Sequence, residues 1–203
     1  MKKIAIIGMT ALMGLTLTAC SSSSNSSSSK TTSQASSKKA ETGISLDNYK
    51  SIKVALPSGG DATSESKVKS LFGKPDQSTK TTVSGLDKQA TQYTWTKVGT
   101  SLKGATVTAS FYDGKAVAKA YSSATLSPNA KLTDTSVDAI KNGDTVDSVE
   151  SKLGTPNAES LSGSGALSAQ IINYTSIKGK SGASVTFTFT GGKLVSTTKT
   201  SFN

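Results

Sequence analysis

Residues 136–160 read SVDAIKNGDTVDSVESKLGTPNAES, and their spacing decides how the second half of the chain folds. Val137 and Ile140 sit one helical turn apart, with Thr135 or Ser136 placed to cap that turn and Gly143 to end it. Asp144 or Thr145 can then cap a second helix, in which Val146, Val149 and Leu153 share a face. Gly154 followed by Pro156 closes it, since glycine takes the left-handed conformation and proline cannot continue a helix. Downstream, Val185, Phe187 and Phe189 alternate with Thr186, Thr188 and Thr190, the pattern of a strand buried on one face and wet on the other. Gly191-Gly192 turns the chain into a return strand, Lys193 to Lys199.

The same grammar occurs earlier in the chain. VKSLFGKPDQS (68–78) matches VESKLGTPNAES (149–160), and Gly73/Gly154, Pro75/Pro156 and Tyr93/Tyr174 are each 81 positions apart. Val107/Val185, Phe111/Phe189, Gly114/Gly192 and Lys115/Lys193 are each 78 apart, which places a three-residue insertion in the first copy between Tyr93 and Val107. In that copy Ser45 precedes Leu46, Tyr49 and Ile52, while Thr63 or Ser64 precedes Val68, Leu71 and Phe72. Val107, Ala109 and Phe111 form an inner row, Asp113-Gly114 is a two-residue hairpin turn, and Lys115 to Tyr121 returns. The expected fold class is α+β, with two tandem units, each a helix-loop-helix packed on an antiparallel sheet of about four strands. The units span 45–121 and 135–203, joined by a connector at 122–134 that contains Pro128.

The N-terminal region is of another kind. Met1-Lys2-Lys3 followed by the apolar, uncharged Ile4 to Ala19 has the layout of a secretory signal peptide, too short for a comfortable membrane span. Leu17-Thr18-Ala19-Cys20 resembles the lipobox of bacterial lipoproteins, which implies diacylglycerol on the sulfur of Cys20, the only cysteine, and cleavage of residues 1–19. Two or more acyl chains hold a protein stably on a bilayer. Residues 20–44, dominated by Ser and Lys, have nothing to build a core and read as a disordered tether, reaching roughly 25 Å for some twenty flexible residues.

Composition narrows the function. The 203 residues contain no histidine, which removes the commonest general base and metal ligand. All 23 basic residues are lysine, so the bidentate fork that reads guanine and phosphate is missing and nucleic acid is not an expected partner. No nucleophile elbow, phosphate loop or paired carboxylates appear; Gly59-Gly60 lacks a helix-opening context, and Asp144 and Asp147 are explained as cap and dipole partners. The expectation is therefore no enzyme, no catalytic residues, no cofactor and no metal. The net charge of +10 favours an anionic neighbour.

The helix-loop-helix and the stretch FTFTGGKLVSTTKTSF (187–202) together resemble the tandem units of β-lactamase inhibitory protein and the group sharing its fold. That group includes small outer-membrane assembly lipoproteins and Gram-positive surface lipoproteins. The marks are Gly143-x-Thr145, Leu153-Gly-x-Pro156 and Gly192-Lys-Leu-Val195; the first copy has SGGDATSES (58–66) where a Gly-x-Thr is expected. The resemblance implies a binding module rather than an enzyme, while the outer rows here are threonine and serine instead of aromatic, and no second cysteine exists for a disulfide. A membrane-anchored, extracytoplasmic, non-catalytic adaptor at the cell envelope follows as the leading expectation. The alternatives are an envelope-assembly or stress scaffold, a β-lactamase-type inhibitor, or a serine hydrolase accessory.

For the binding surface, eleven lysines face six acids between Leu46 and Tyr121, against six and five from Thr135 onward. Lys97, Lys103, Lys115 and Lys119 are the candidates to meet anionic wall polymer or membrane, or else form a solvated sheet edge that resists aggregation. Tyr112 and Tyr121 are expected on the side of their strands away from Phe111, where they could anchor an envelope protein. Trp95, the only tryptophan, shares a strand face with Tyr93, which favours core packing over contact with a partner.

Overall fold

Each of the four helices starts where a hydroxyl can take up an orphan backbone N–H. In the computed structural model, which describes residues 42–127, 130–175, 177 and 179–201, these are α1 (Leu46–Ser51), α2 (Glu65–Phe72), α3 (Asp134–Asp138) and α4 (Val146–Leu153). Ser45, Ser64 and Thr145 accept from the third residue beyond them, as the sequence led us to expect. The cap of α3 is instead Thr133, in a capping box with Ser136, so that helix starts earlier than Thr135 or Ser136 implied. Gly73 and Gly154 end α2 and α4 at φ of +81° and +83°, where a side chain would be strained.

The strands are β1 (Gln77–Thr81), β2 (Ala90–Trp95), β3 (Thr106–Tyr112), β4 (Lys115–Ser122), β5 (Ala158–Ser162), β6 (Ala169–Tyr174), β7 (Ser184–Thr190) and β8 (Lys193–Thr200). They form one antiparallel meander in chain order. This corrects the expected pair of helix-loop-helix units on separate sheets of about four strands. β4 pairs with β5 over Ala118 to Tyr121, so the backbone hydrogen bonds continue across the middle and a single eight-stranded sheet dominates the molecule. The helices are only one or two turns long, too short to be stable without the sheet beneath them.

All four helices lie on one face. Under α1 and α2, the core is built on Trp95, Val107, Phe111 and Tyr121; under α3 and α4, on Ile172, Tyr174, Val185, Phe187 and Phe189. A small third cluster of Val83, Ala90 and Val117 sits beneath the connection from β1 to β2. Each of β3–β4 and β7–β8 contains a bulge just after its turn. The signal segment 1–19, Cys20, the tether up to residue 41 and Pro128 lie outside the described residues.

Candidate functional site

The bulge in β4 decides where two of the sequence-selected residues point. Tyr112 pairs with Lys115 and Phe111 with Ala116, but Ser110 then pairs with Ala118, leaving Val117 unopposed. One extra residue reverses the alternation of everything beyond it. Lys119 and Tyr121 consequently lie opposite Ala109 and Val107, on the helix-covered face, at 7% and 1% exposure. The outward placement of Tyr121 and the solvent-facing role of Lys119 are corrected on this ground.

Within the core, Lys119 joins a polar cluster at the middle of the sheet. Its ammonium donates to the Tyr49 carbonyl at 3.0 Å, is 3.5 Å from the Lys50 carbonyl, and lies 4.5 Å from the centroid of the Tyr49 ring. These carbonyls end α1, so the lysine acts as a buried C-terminal cap in favourable register with the helix dipole. Burial nevertheless pushes its pKa down to about 8, against partial compensation by Glu159. Glu159 on β5 is 6% exposed; burial raises its pKa, and Gln170 donates to its Oε1 at 2.9 Å while its Oε2 has no hydrogen-bond partner. Tyr121 stacks edge-on against Tyr49 at 4.9 Å, and its hydroxyl donates to the Pro156 carbonyl at 2.9 Å. Lys50 of α1 pairs with Glu150 of α4.

Lys119, Tyr49, Glu159 and Tyr121 thus tie α1, β4, β5 and the segment after α4 together. Sequence reading missed Glu159, Glu150 and Tyr49 as members of this set. The available signal was a charged residue at Glu159 between the apolar-compatible positions Ala158 and Leu161, but its partner strand is set by tertiary pairing.

The other selected residues do not converge. Trp95 is 1% exposed, donates its indole N–H to the Gly73 carbonyl at 3.0 Å and packs edge-on against Phe72, which places it in the core. Tyr112 is half-buried against the third cluster; its hydroxyl donates to Asp87 at 3.0 Å, and that carboxylate holds the phenol above its ordinary pKa. Lys115 is exposed at the β3–β4 turn, whereas Lys97 and Lys103 are exposed at the opposite end of the sheet, on the connection between β2 and β3. Among the described residues no group of three His, Cys, Asp or Glu side chains could hold a metal ion.

The face away from the helices has a different chemistry. Pairing carries one row across all eight strands: Gln77, Thr94, Thr108, Ala120, Ser160, Ile171, Thr188 and Ser196. A second runs Thr79, Gln92, Ser110, Ala118, Ser162, Ala169, Thr190 and Lys193, and at its β1–β4 end the β1–β2 connection covers this face and buries Ser110, which accepts from Gln92. In a chain of net charge +10, these two rows hold a single charge, at the corner. Short hydroxyl, amide and methyl side chains leave the backbone open to close approach, and they present hydrogen-bonding groups at low cost in side-chain entropy.

A family model described as a domain of unknown function with a solved structure (DUF3862) matches residues 38–202. Among solved structures, a provisionally named β-lactamase inhibitor protein from Streptococcus mutans has a TM-score of 0.64 and 26% identity, over 76% of this chain and 94% of that one. No curated protein matches. Since the family match takes in the whole sheet and all four helices, the chain belongs to the DUF3862 family.

Proposed function

We propose that this protein is a non-catalytic binding module, held at the extracytoplasmic face of the cell membrane by a lipid on Cys20, which presents the open face of its sheet to an envelope protein. The observation that carries the binding reading is the nearly uncharged run of Thr, Ser, Ala and Gln across all eight strands. A lysine-rich chain would be expected to place lysines there if solubility alone governed the face. Likeness to the Streptococcus mutans protein supports a binding role over an enzymatic one. The anchoring reading is supported by the leader and by Leu17-Thr18-Ala19-Cys20.

The test is capture from detergent-solubilised envelopes with the intact chain, alongside a Thr108→Arg/Ser160→Arg variant. Both substitutions lie in the central row of the open face. A single partner that stays bound at high salt to the original chain, and drops at least tenfold with the variant, is the expected result. Equal recovery by the two chains would sink the sheet-face reading.

The printed description of the Streptococcus mutans protein favours a second reading, inhibition of a β-lactamase. The open-face rows contain no aromatic anchor of the kind that dominates tight inhibitor interfaces. Titration against a β-lactamase decides this reading, with tight stoichiometric loss of its activity required to sustain it.

A further inference from the structure

The two halves of the open face are built alike and finished differently. Sheet register matches Ser110 with Thr188, Tyr112 with Thr190, Lys115 with Lys193 and the bulge residue Val117 with Val195, each 78 positions apart. In the first half the β1–β2 connection, residues 82–89, folds over this face. Its Val83 joins Ala90 and Val117 in a buried cluster, against which Leu86 and Tyr112 pack. A tight turn presents the two aliphatic side chains, since the Leu86 N–H donates to the Val83 carbonyl at 3.1 Å. The next residue, Asp87, accepts from the Tyr112 hydroxyl.

The second half has no such cover. Its β5–β6 connection, residues 163–168, is shorter than 82–89; Ser162 pairs with Ala169 as Thr81 does with Ala90, so Ser164 stands where Val83 does. Ala169 and Val195 are exposed, whereas Ala90 and Val117 are buried. Ile171, opposite Thr188, takes the register place of Gln92, opposite Ser110. Leu167, Ile171 and Val195 are the large apolar side chains left exposed among the described residues, at 69%, 37% and 50%, and all three belong to this half of the sheet. Thr190 pairs with Lys193 as Tyr112 pairs with Lys115, so a hydroxyl and an ammonium stand exposed where the first half receives Asp87.

We infer that this uncovered half of the open face is the seat for a turn of the envelope partner that carries two aliphatic side chains and a carboxylate, filling the place that Val83, Leu86 and Asp87 fill in the first half. The inference rests on the open face as the binding face, and names what that face takes. Ile171 and Val195 gain from apolar side chains that leave water together with them. Lys193, the single charge of the two open rows, attracts an acid and disfavours a basic turn. The chain's own N-terminal segment does not supply the occupant, because residues 21–41 contain no valine, leucine or isoleucine. The open rows of a second copy would bring another Lys193 and no acid.

The probe is a peptide of residues 81–90 closed head to tail, which keeps the cover in the turn that its paired ends impose, added to the intact isotope-labelled chain in detergent micelles. The amide NMR signals of Ala169, Ile171, Thr190 and Val195 should shift, while those of Ala90, Gln92 and Ser110, already covered, should not. A Val83→Ser/Leu86→Ser peptide should bind at least tenfold more weakly, and an Asp87→Asn peptide about threefold more weakly. The Ile171→Thr/Val195→Thr chain keeps branched strand residues and should keep its unfolding midpoint, yet bind the closed peptide at least tenfold more weakly and capture at least tenfold less envelope partner. Absence of shifts, shifts confined to other residues, or equal binding of the serine peptide would overturn the seat. Dimerisation of the intact chain in sedimentation that Ile171→Thr/Val195→Thr abolishes would also overturn it, by putting a second copy there. Full capture by Ile171→Thr/Val195→Thr beside loss by Thr108→Arg/Ser160→Arg defeats only the seat, whereas full capture by both defeats the open-face reading itself.

Discussion

The hairpins β3–β4 and β7–β8 begin alike and end differently. Both turn through a two-residue loop ending in glycine, Asp113-Gly114 and Gly191-Gly192, and both bulge just after it, at Val117 and Val195. In the first, Val117 is 1% exposed, and Lys119 and Tyr121 go into the core; in the second, Val195 is 50% exposed, and Thr197 and Lys199 at the matching positions remain exposed. The local backbone is the same, so the contrast comes from the neighbours. β4 has β5 beside it, α1 over it, and the β1–β2 connection over its bulge. β8 is an edge strand, and Lys199 pairs with Asp138 of α3. A charged residue that faces inward on an edge also discourages a further strand from pairing.

Deleting one bulge residue from each hairpin tests the contrast most severely. Removal of Val117 should turn Lys119 and Tyr121 to the open face and empty their places in the core, with a loss above about 5 kcal/mol that leaves no cooperative unfolding transition. Removal of Val195 should cost about 1–2 kcal/mol, because little on that edge is buried. Comparable losses in chemical denaturation would mean that the bulge, rather than the neighbouring strand, governs both hairpins.

Next in size are substitutions at the matched positions. Tyr121→Ala should destabilise by about 3–5 kcal/mol, through a cavity beside Tyr49 and an unpaired Pro156 carbonyl. Lys199→Ala should change the denaturation midpoint little, as its pair with Asp138 is exposed to solvent. A large effect at Lys199 would show that the edge strand is held by more than its backbone.

The third contrast is in pH dependence. The folded state holds the Lys119 proton less tightly than the unfolded chain does, so between about 8 and the ordinary lysine value the unfolded state binds more protons. Stability should therefore be flat in this term below pH 8 and rise above it, by up to about 3 kcal/mol at roughly 1.4 kcal/mol per unit. Glu159 acts in the opposite sense at acid pH, where stability falls as pH climbs from the ordinary glutamate value through its raised one. Lys119→Met should abolish the alkaline rise, whereas Thr197→Lys at the matching edge position should not create one. If the alkaline rise persists in Lys119→Met, another group is its source.

Much of the architecture was legible because it is local. The caps at Ser45 and Ser64, the stops at Gly73 and Gly154 and the buried row Val185, Phe187 and Phe189 depend on residues within a few positions of one another. The binding candidates were less legible. An unbroken two-residue period places Tyr121 outward and lysine excess alone selects Lys119, whereas a bulge has no reliable sequence mark. The selected lysines were grouped by sequence, while strand direction puts Lys97 and Lys103 at one end of the sheet and Lys115 at the other.

Residue chemistry alone settled that this chain lacks histidine and arginine, that its positive charge is carried by lysine, and that its helix caps, hairpin turns and alternating rows belong to a mixed helix and strand protein. Tertiary structure alone joined β4 to β5 into one sheet, drew Lys119 and Glu159 inside, left the opposite face almost free of charge, and bridged Ile44 to Val98 where the chain enters the fold. The physical reason is range. Caps and turns satisfy backbone groups within a few residues, whereas the partner of an open strand edge and the side on which a residue falls after a bulge are set by hydrogen bonds and packing between segments remote in sequence.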